Sequence, residues 1–199
     1  MADTSRFDKN ITTAAVRLHD PRTMAVGDPA EASYRYSLAL LSKYQNFAIR
    51  DTVREAYLKF GDGFEQVMPE MVNDYADVTI TDGVGNLPLD AWIVLEVAKT
   101  DYSWYAWRVR ENVLKVLCGR DAMLQPTLTK PAFYQTGLQI RLLPNTLSGL
   151  NVRLWYIRQP ADITAGPAAV IPVSPMWDGE IVARMVQMGI ADAKSSIAV

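Results

Sequence analysis

Acid–base or nucleophilic chemistry would have to be assembled from few side chains, because the chain carries one histidine, His19, and one cysteine, Cys118. A Ser-His-Asp arrangement would need His19, and no G-x-S-x-G elbow accompanies any serine. At the end of an expected helix, His19 instead complements the negative pole of the helix dipole. Cys118 closes the apolar run Val116 to Cys118 and reads as a small buried hydrophobe, with nothing beside it to lower its thiol pKa. One histidine and one thiol cannot supply the ligand cluster of a zinc site, and a lone cysteine cannot form an internal disulfide. No metal, no cofactor and no catalytic residue is therefore assigned.

Two glycine motifs invite comparison with phosphate-binding loops. Gly83-Val84-Gly85-Asn86 lacks the third glycine and following helix of a dinucleotide fingerprint, and Gly61-Asp62-Gly63 lacks the Lys-Ser/Thr of a phosphate loop. Both read as turns. The 22 Asp and Glu residues leave a two-carboxylate glycosidase, such as a small cell-wall hydrolase, as the enzymatic alternative. Its defining carboxylate separation cannot be read from sequence.

Nineteen of the 199 residues are Phe, Tyr or Trp, with a dense run at Tyr102, Trp104, Tyr105 and Trp107. Rings on a sheet face could stack sugars or single-stranded bases, which makes a carbohydrate-binding or baseplate module a second alternative. Without a neighbouring Lys/Arg stripe, core and subunit contacts are the favoured reading.

The elements that must position these residues begin with helices. Asn10 can cap a short helix over Ile11 to His19, which Asp20-Pro21 ends, and Asp28-Pro29 is a second start signal. A long helix is predicted from Ala30 to about Phe60. Leu38, Leu41, Gln45, Ala48 and Thr52 form one stripe and Ile49, Val53, Ala56 and Phe60 another, so it should make contacts on two sides. Gly61-Asp62-Gly63 closes it.

From Asp77 to about Arg158 the period changes to 2. Val78 and Ile80 alternate with polar residues, Asp82-Gly83 offers a turn, and Trp92 to Val97 follows as a strand. Over Trp104 to Arg110, Tyr105, Trp107 and Val109 are expected on the dry face and Ala106, Arg108 and Arg110 on the wet one. Leu138, Ile140 and Leu142 are predicted to form a hairpin with Val152, Leu154 and Tyr156 around a Pro144 to Gly149 loop. About five to seven strands with short connections favour an antiparallel sheet or small barrel over βαβ units. Ala161 to Pro175, rich in proline, should be an extended arm across a surface. Ser174-Pro175 then caps a last helix over Met176 to Lys194, with Trp177, Ile181, Met185 and Met188 on one face.

The expectation is a single α+β domain spanning 1–199. It has N-terminal helices, including one long helix, packed on an antiparallel β-sheet or small barrel, then a proline-rich arm and a C-terminal helix. Its subregions are 1–72 helical, 73–160 antiparallel β, and 161–199 arm and helix. A net charge of -2 gives no electrostatic reason to bind nucleic acid tightly. The first ten residues predict neither signal nor transit peptide, and no apolar window approaches the roughly 20 residues that span a bilayer, so no membrane partner is expected.

An ordered series of features resembles the head-to-tail adaptor (connector, or neck) proteins of tailed bacteriophages. It runs through Leu87-Pro88-Leu89-Asp90 leading into Trp92 to Val97, then Pro131-Ala132-Phe133-Tyr134. Gly137-Leu138-Gln139-Ile140-Arg141-Leu142-Leu143-Pro144 follows, then Leu154-Trp155-Tyr156-Ile157-Arg158-Gln159-Pro160 and a closing helix, so that most of the chain is covered. The resemblance implies a structural virion protein made in the host bacterial cytoplasm. About a dozen copies would form a homo-oligomeric ring beneath the portal protein, bind tail or further neck proteins, and extend the channel through which DNA passes during genome ejection. DNA would pass without sequence-specific binding, and mild negative charge suits such a conduit. The faces expected to meet a neighbouring copy or the portal are Trp177, Ile181, Met185 and Met188 on the last helix and Leu38, Leu41, Ile49 and Val53 on the long one.

Overall fold

The computed structural model of the chain describes residues 5–19, 36–109, 125–164 and 169–195. Cys118, the Asp20-Pro21 stop and Asp28-Pro29 start signals, Arg110 and Pro167 lie outside these residues. The fold is α+β, and the chain forms two compact units, one of residues 1–71 with 160–199 and the other of residues 72–159.

The first unit is helical. Helix α1 spans Arg6–Arg17 and α2 spans Leu38–Phe60. A short α3, Phe64–Val67, follows, and α4 spans Asp178–Ser195. Helix α1 begins five residues earlier than Asn10 suggested, because Ser5 and Asp8 bond reciprocally at the helix start and satisfy a free backbone N–H there. Asn10 becomes a buried residue inside the helix, its amide donating to Asp178 at 3.0 Å. Helix α2 starts at Leu38, later than expected among the described residues, because Ser37 caps it by accepting from the Leu40 N–H. Its end is as the sequence predicts: Gly61 takes φ +52 and donates back to Tyr57.

Both stripes of α2 are buried in large part, with Leu41, Gln45, Ala48, Thr52, Ile49, Val53 and Ala56 inside, while Phe60 at the helix end stays exposed. Helix α4 lies against α2 and α1. Arg6 fixes its start with a two-pronged bond to Asp178 (Nε 2.8 Å, Nη2 2.6 Å) and further bonds to the Val173 and Ser174 carbonyls. Tyr36 and Tyr44 hold its far end through the Gly189 carbonyl (3.0 Å) and Asp192 (2.9 Å).

The second unit is a curled half-barrel of seven strands among the described residues. These are β1 Val72–Ile80, β2 Val84–Asn86, β3 Ala91–Lys99, β4 Tyr105–Arg108, β5 Ala132–Thr136, β6 Gln139–Leu143 and β7 Leu150–Arg158, in the spatial order β1-β7-β3-β4-β5-β6-β2. Pairing is antiparallel except between β4 and β5, which run parallel, a correction to the all-antiparallel expectation. The predicted β6–β7 hairpin is also corrected, since these strands are not neighbours. The loop after Leu143 does not turn back on β6. It drops Leu147 into the interior and bonds to the β1–β2 turn, with Gly83 N–H on the Leu147 carbonyl (2.7 Å) and Gly149 N–H on the Ile80 carbonyl (2.8 Å).

That turn is the predicted Asp82-Gly83, with φ +50 and +75, the positive pair that a tight hairpin requires. Beyond it Gly85 lets β2 close over the interior. A Cβ there would stand 2.7 Å from both Ile80 Cδ1 and Val78 Cγ1. The core of this unit is built from Val78, Ile80, Val94, Phe133, Ile140, Leu142 and Leu154.

Candidate functional site

Of the side chains weighed for acid–base or metal chemistry, His19 lies among the described residues and Cys118 does not. His19 is exposed at the end of α1 with φ +56. Among the described residues no group of three or more His, Cys, Asp and Glu is placed to hold a metal ion, and no helix is long and apolar enough to cross a membrane. Asp101 is held well below the usual carboxylate range, first by its bond from Lys99 and then by Ser103, a state unsuited to proton donation near neutrality.

The helix faces expected to meet another copy are turned inward. Ile181, Met185, Leu41, Ile49 and Val53 are fully or almost fully buried within the chain, and Leu38, Trp177 and Met188 are half-buried. The physical reason is that the last helix, α1 and α3 all pack on α2 within this unit and take up its apolar residues. Apolar surface remains elsewhere on this unit, at Leu58 (71% exposed), Val170 and Met176.

Of the expected arm the structure describes residues 161–164 and 169–175, and the contacts that hold these pieces to the helices are polar. Asn46 on α2 bonds both main-chain groups of Ile163, its Nδ2 donating to the carbonyl and its Oδ1 accepting from the N–H, each at 3.0 Å. One turn on, Arg50 reaches the Pro160 carbonyl (3.3 Å) and the Asp162 carboxylate (2.9 Å). Further along, Arg6 takes the Val173 and Ser174 carbonyls, and the Ser174 N–H donates to Glu70. Beside Ile163 the groove between arm and helix has a volume of about 640 Å³, with Lys43 and Phe47 on its helical wall. Nothing in the sequence marked Asn46, since a polar residue on a long helix ordinarily faces solvent.

On the sheet unit the strand expectation holds for buried Val109 and exposed Arg108 and is reversed at Tyr105, Ala106 and Trp107. Ala106 points into the core, while Tyr105 and Trp107 stand outside at 51% and 40% exposure. Trp104 packs partly against the core. The interior of a tightly curled sheet has room for a methyl group at this position and not for an indole, so the larger rings are expelled.

The expelled rings gather around the β3–β4 connection. Tyr102, 45% exposed, lies 6.3 Å from Tyr105 and 6.3 Å from Trp155 between ring centres, tilted 33° and 43°. Arg153 sits under it, its guanidinium 5.5 Å from the Tyr102 ring centre and its Nη1 donating to the Tyr102 hydroxyl at 2.8 Å. Asp77, the cross-strand partner of Arg153, accepts its Nε at 3.0 Å. Together, the Asp77 bond first and the Tyr102 bond second, they raise the Arg153 pKa above its ordinary value. What this arrangement offers is recognition through fixed aromatic faces, with Arg153 neutralised by Asp77 and the exposed carboxylate of Glu96, the cross-strand partner of Trp155, on the same face.

The chain was also compared with known proteins: no protein-family model matches it, and no curated protein matches it in sequence.

Proposed function

We propose that the chain is a structural protein of the bacteriophage neck. Its copies would assemble into a ring beneath the portal, dock further neck or tail proteins, and extend the DNA channel in the virion. The observation that carries this reading is apolar surface left over on both units after their cores are complete: Leu58, Val170 and Met176 on the helical unit, and Tyr102, Tyr105, Trp107 and Leu89 on the sheet. Rings and arginine gathered on one face are the residue types that dominate protein–protein binding energy. The sheet motifs behind the resemblance also have structural employment. Leu87 is buried at the entry to β3, and Tyr156 is buried where its hydroxyl meets Asn73 (2.7 Å) and Asp90 (3.2 Å).

In this reading no residue performs catalysis, and the ring contacts come from the exposed sheet face and the outer surface of the helices rather than from the buried stripes. The test is a native mass measurement of the purified protein alone and after mixing with portal protein. A closed oligomer, or a complex of defined stoichiometry with portal, is expected. A chain that stays monomeric in both conditions, or that turns over peptidoglycan, overturns it.

A further inference from the structure

The side of α2 opposite its buried stripes is uncovered along most of its length. Lys43, Phe47, Asp51, Arg54 and Leu58 recur there every third or fourth residue and are all exposed, Phe47 at 45%. Asp51 and Arg54 make no hydrogen bond or ion pair among the described residues, and Lys43 only rests its ammonium 5.9 Å from the Phe47 ring centre. The remaining charges of the helix flank this stripe and are engaged within the chain. Arg50 holds Asp162 (2.9 Å), Glu55 accepts from Arg184, and Lys59 lies over the Phe60 ring (5.3 Å).

The stripe is complementary to itself when reversed. Phe47 and Leu58 are equally far from the point midway between Thr52 and Val53, and so are Asp51 and Arg54. The same point is midway between Lys43 and Asp62, the exposed carboxylate in the turn that ends the helix. A single two-fold axis through that point therefore serves three pairs at once. With two α2 helices antiparallel, Phe47 of each copy lies level with Leu58 of the other and Asp51 level with Arg54. Lys43 faces Asp62 and the negative pole where the other helix ends. Parallel pairing in register would instead set Asp51 on Asp51 and Arg54 on Arg54, which like-charge repulsion opposes. A phosphate-bearing partner would meet Asp51 in the middle of the stripe.

We propose that α2 pairs antiparallel with α2 of a second copy of this chain across this face. The two Phe47–Leu58 contacts supply affinity, and the Asp51–Arg54 pairs fix register and direction. A contact one helix long is at the small end of specific interfaces, so the pair is expected to dissociate on dilution. The inference stands on the helical unit alone and does not need the neck assignment; a closed two-fold contact is distinct from the head-to-tail contacts of a ring.

The test is native mass spectrometry and sedimentation of the full chain over a concentration series, with two charge variants. Asp51→Arg leaves two cations at these positions in every chain, and Arg54→Asp leaves two carboxylates. Each variant alone should dimerise at least about tenfold more weakly than the parent. Mixed together they should form a one-to-one heterodimer with roughly the parent's affinity, because each cation then meets a carboxylate of the other chain. Phe47→Ser should also weaken pairing at least about tenfold. All three sites are exposed, so melting temperatures should stay close to the parent's. A parent that is monomeric throughout, variants that dimerise as well alone as the parent does, or no heterodimer on mixing would each overturn the proposal. The neck reading is decided separately, by mixing with portal protein.

Discussion

Strand β3 is only partly laddered to its neighbour on the β4 side, where the register covers Val97 and Ala98, and a side chain fills the gap. Gln135 on β5 accepts the Val94 N–H through Oε1 (2.9 Å) and donates Nε2 to the Trp92 carbonyl (2.9 Å), as a strand residue's main chain would. Replacing it by methionine keeps the length and removes both groups. Val94 is wholly buried, so its orphaned N–H costs about 1–3 kcal/mol, while the half-buried Trp92 carbonyl can recover a bond from water and costs about 1 kcal/mol or less. The sum, about 1–4 kcal/mol, corresponds to a fall of roughly 2–16 °C in Tm for a chain of this size. Thermal unfolding followed by circular dichroism measures it, and hydrogen exchange at the Val94 amide localises it, with protection falling by about fivefold or more. Gln139→Met is the control, since the exposed Gln139 bond to Asn86 spans 3.5 Å and its loss should cost no more than about 0.5 kcal/mol. If Gln135→Met melts with the parent and Val94 exchanges as slowly as before, the rung has no energetic meaning.

Gly85→Ala drives a methyl group against Ile80 and Val78 and should cost about 1–3 kcal/mol in urea unfolding, with the core residues around β2 shifting in NMR spectra. Arg6→Ala removes the clamp on Asp178 and two arm carbonyls. The pair is partly solvent-accessible, so a loss of about 1–2 kcal/mol is expected, together with faster proteolysis near Val173. Tyr44 is pushed up to about 12 by burial and by its bond to Asp192. Its folded-state pKa lies above the ordinary 10.0, so the associated stability is complete below pH 10 and is lost as pH rises from 10 through 12. The loss should reach about 2–3 kcal/mol. Urea midpoints across that window should fall for the parent and much less for Tyr44→Phe.

The parts of the fold legible from sequence are those decided by neighbours in the chain. Gly61 ends α2, Asp82-Gly83 turns β1 into β2, and the alternation at Val78 and Ile80 places a strand, because each depends on backbone sterics or on a period read within a few residues. What failed depended on remote partners. Asn10 looks like a cap until Ser5 is seen to hold that role and Asp178 to need a donor. Strands β6 and β7 look like a hairpin because they are adjacent in sequence, yet β7 is claimed by β1 and β3. Tyr105 and Trp107 alternate like core residues, and only the curvature of the sheet decides that Ala106 is the one that fits inside. The candidate surface was half legible: the aromatic run stood out, whereas Arg153, Asp77 and Trp155 join it through strand register, which no local pattern encodes.

Asn46 grips the arm by the main chain of Ile163, whose N–H and carbonyl are the same in every residue but proline, which lacks the N–H. At Ile163 the arm's route is thus written in the helix it crosses and not in the side chain that is held. Over generations the letter at 163 can drift among residues that keep an N–H while Asn46 is kept, whereas Asp162, which meets Arg50 through its own carboxylate, is read by its side chain.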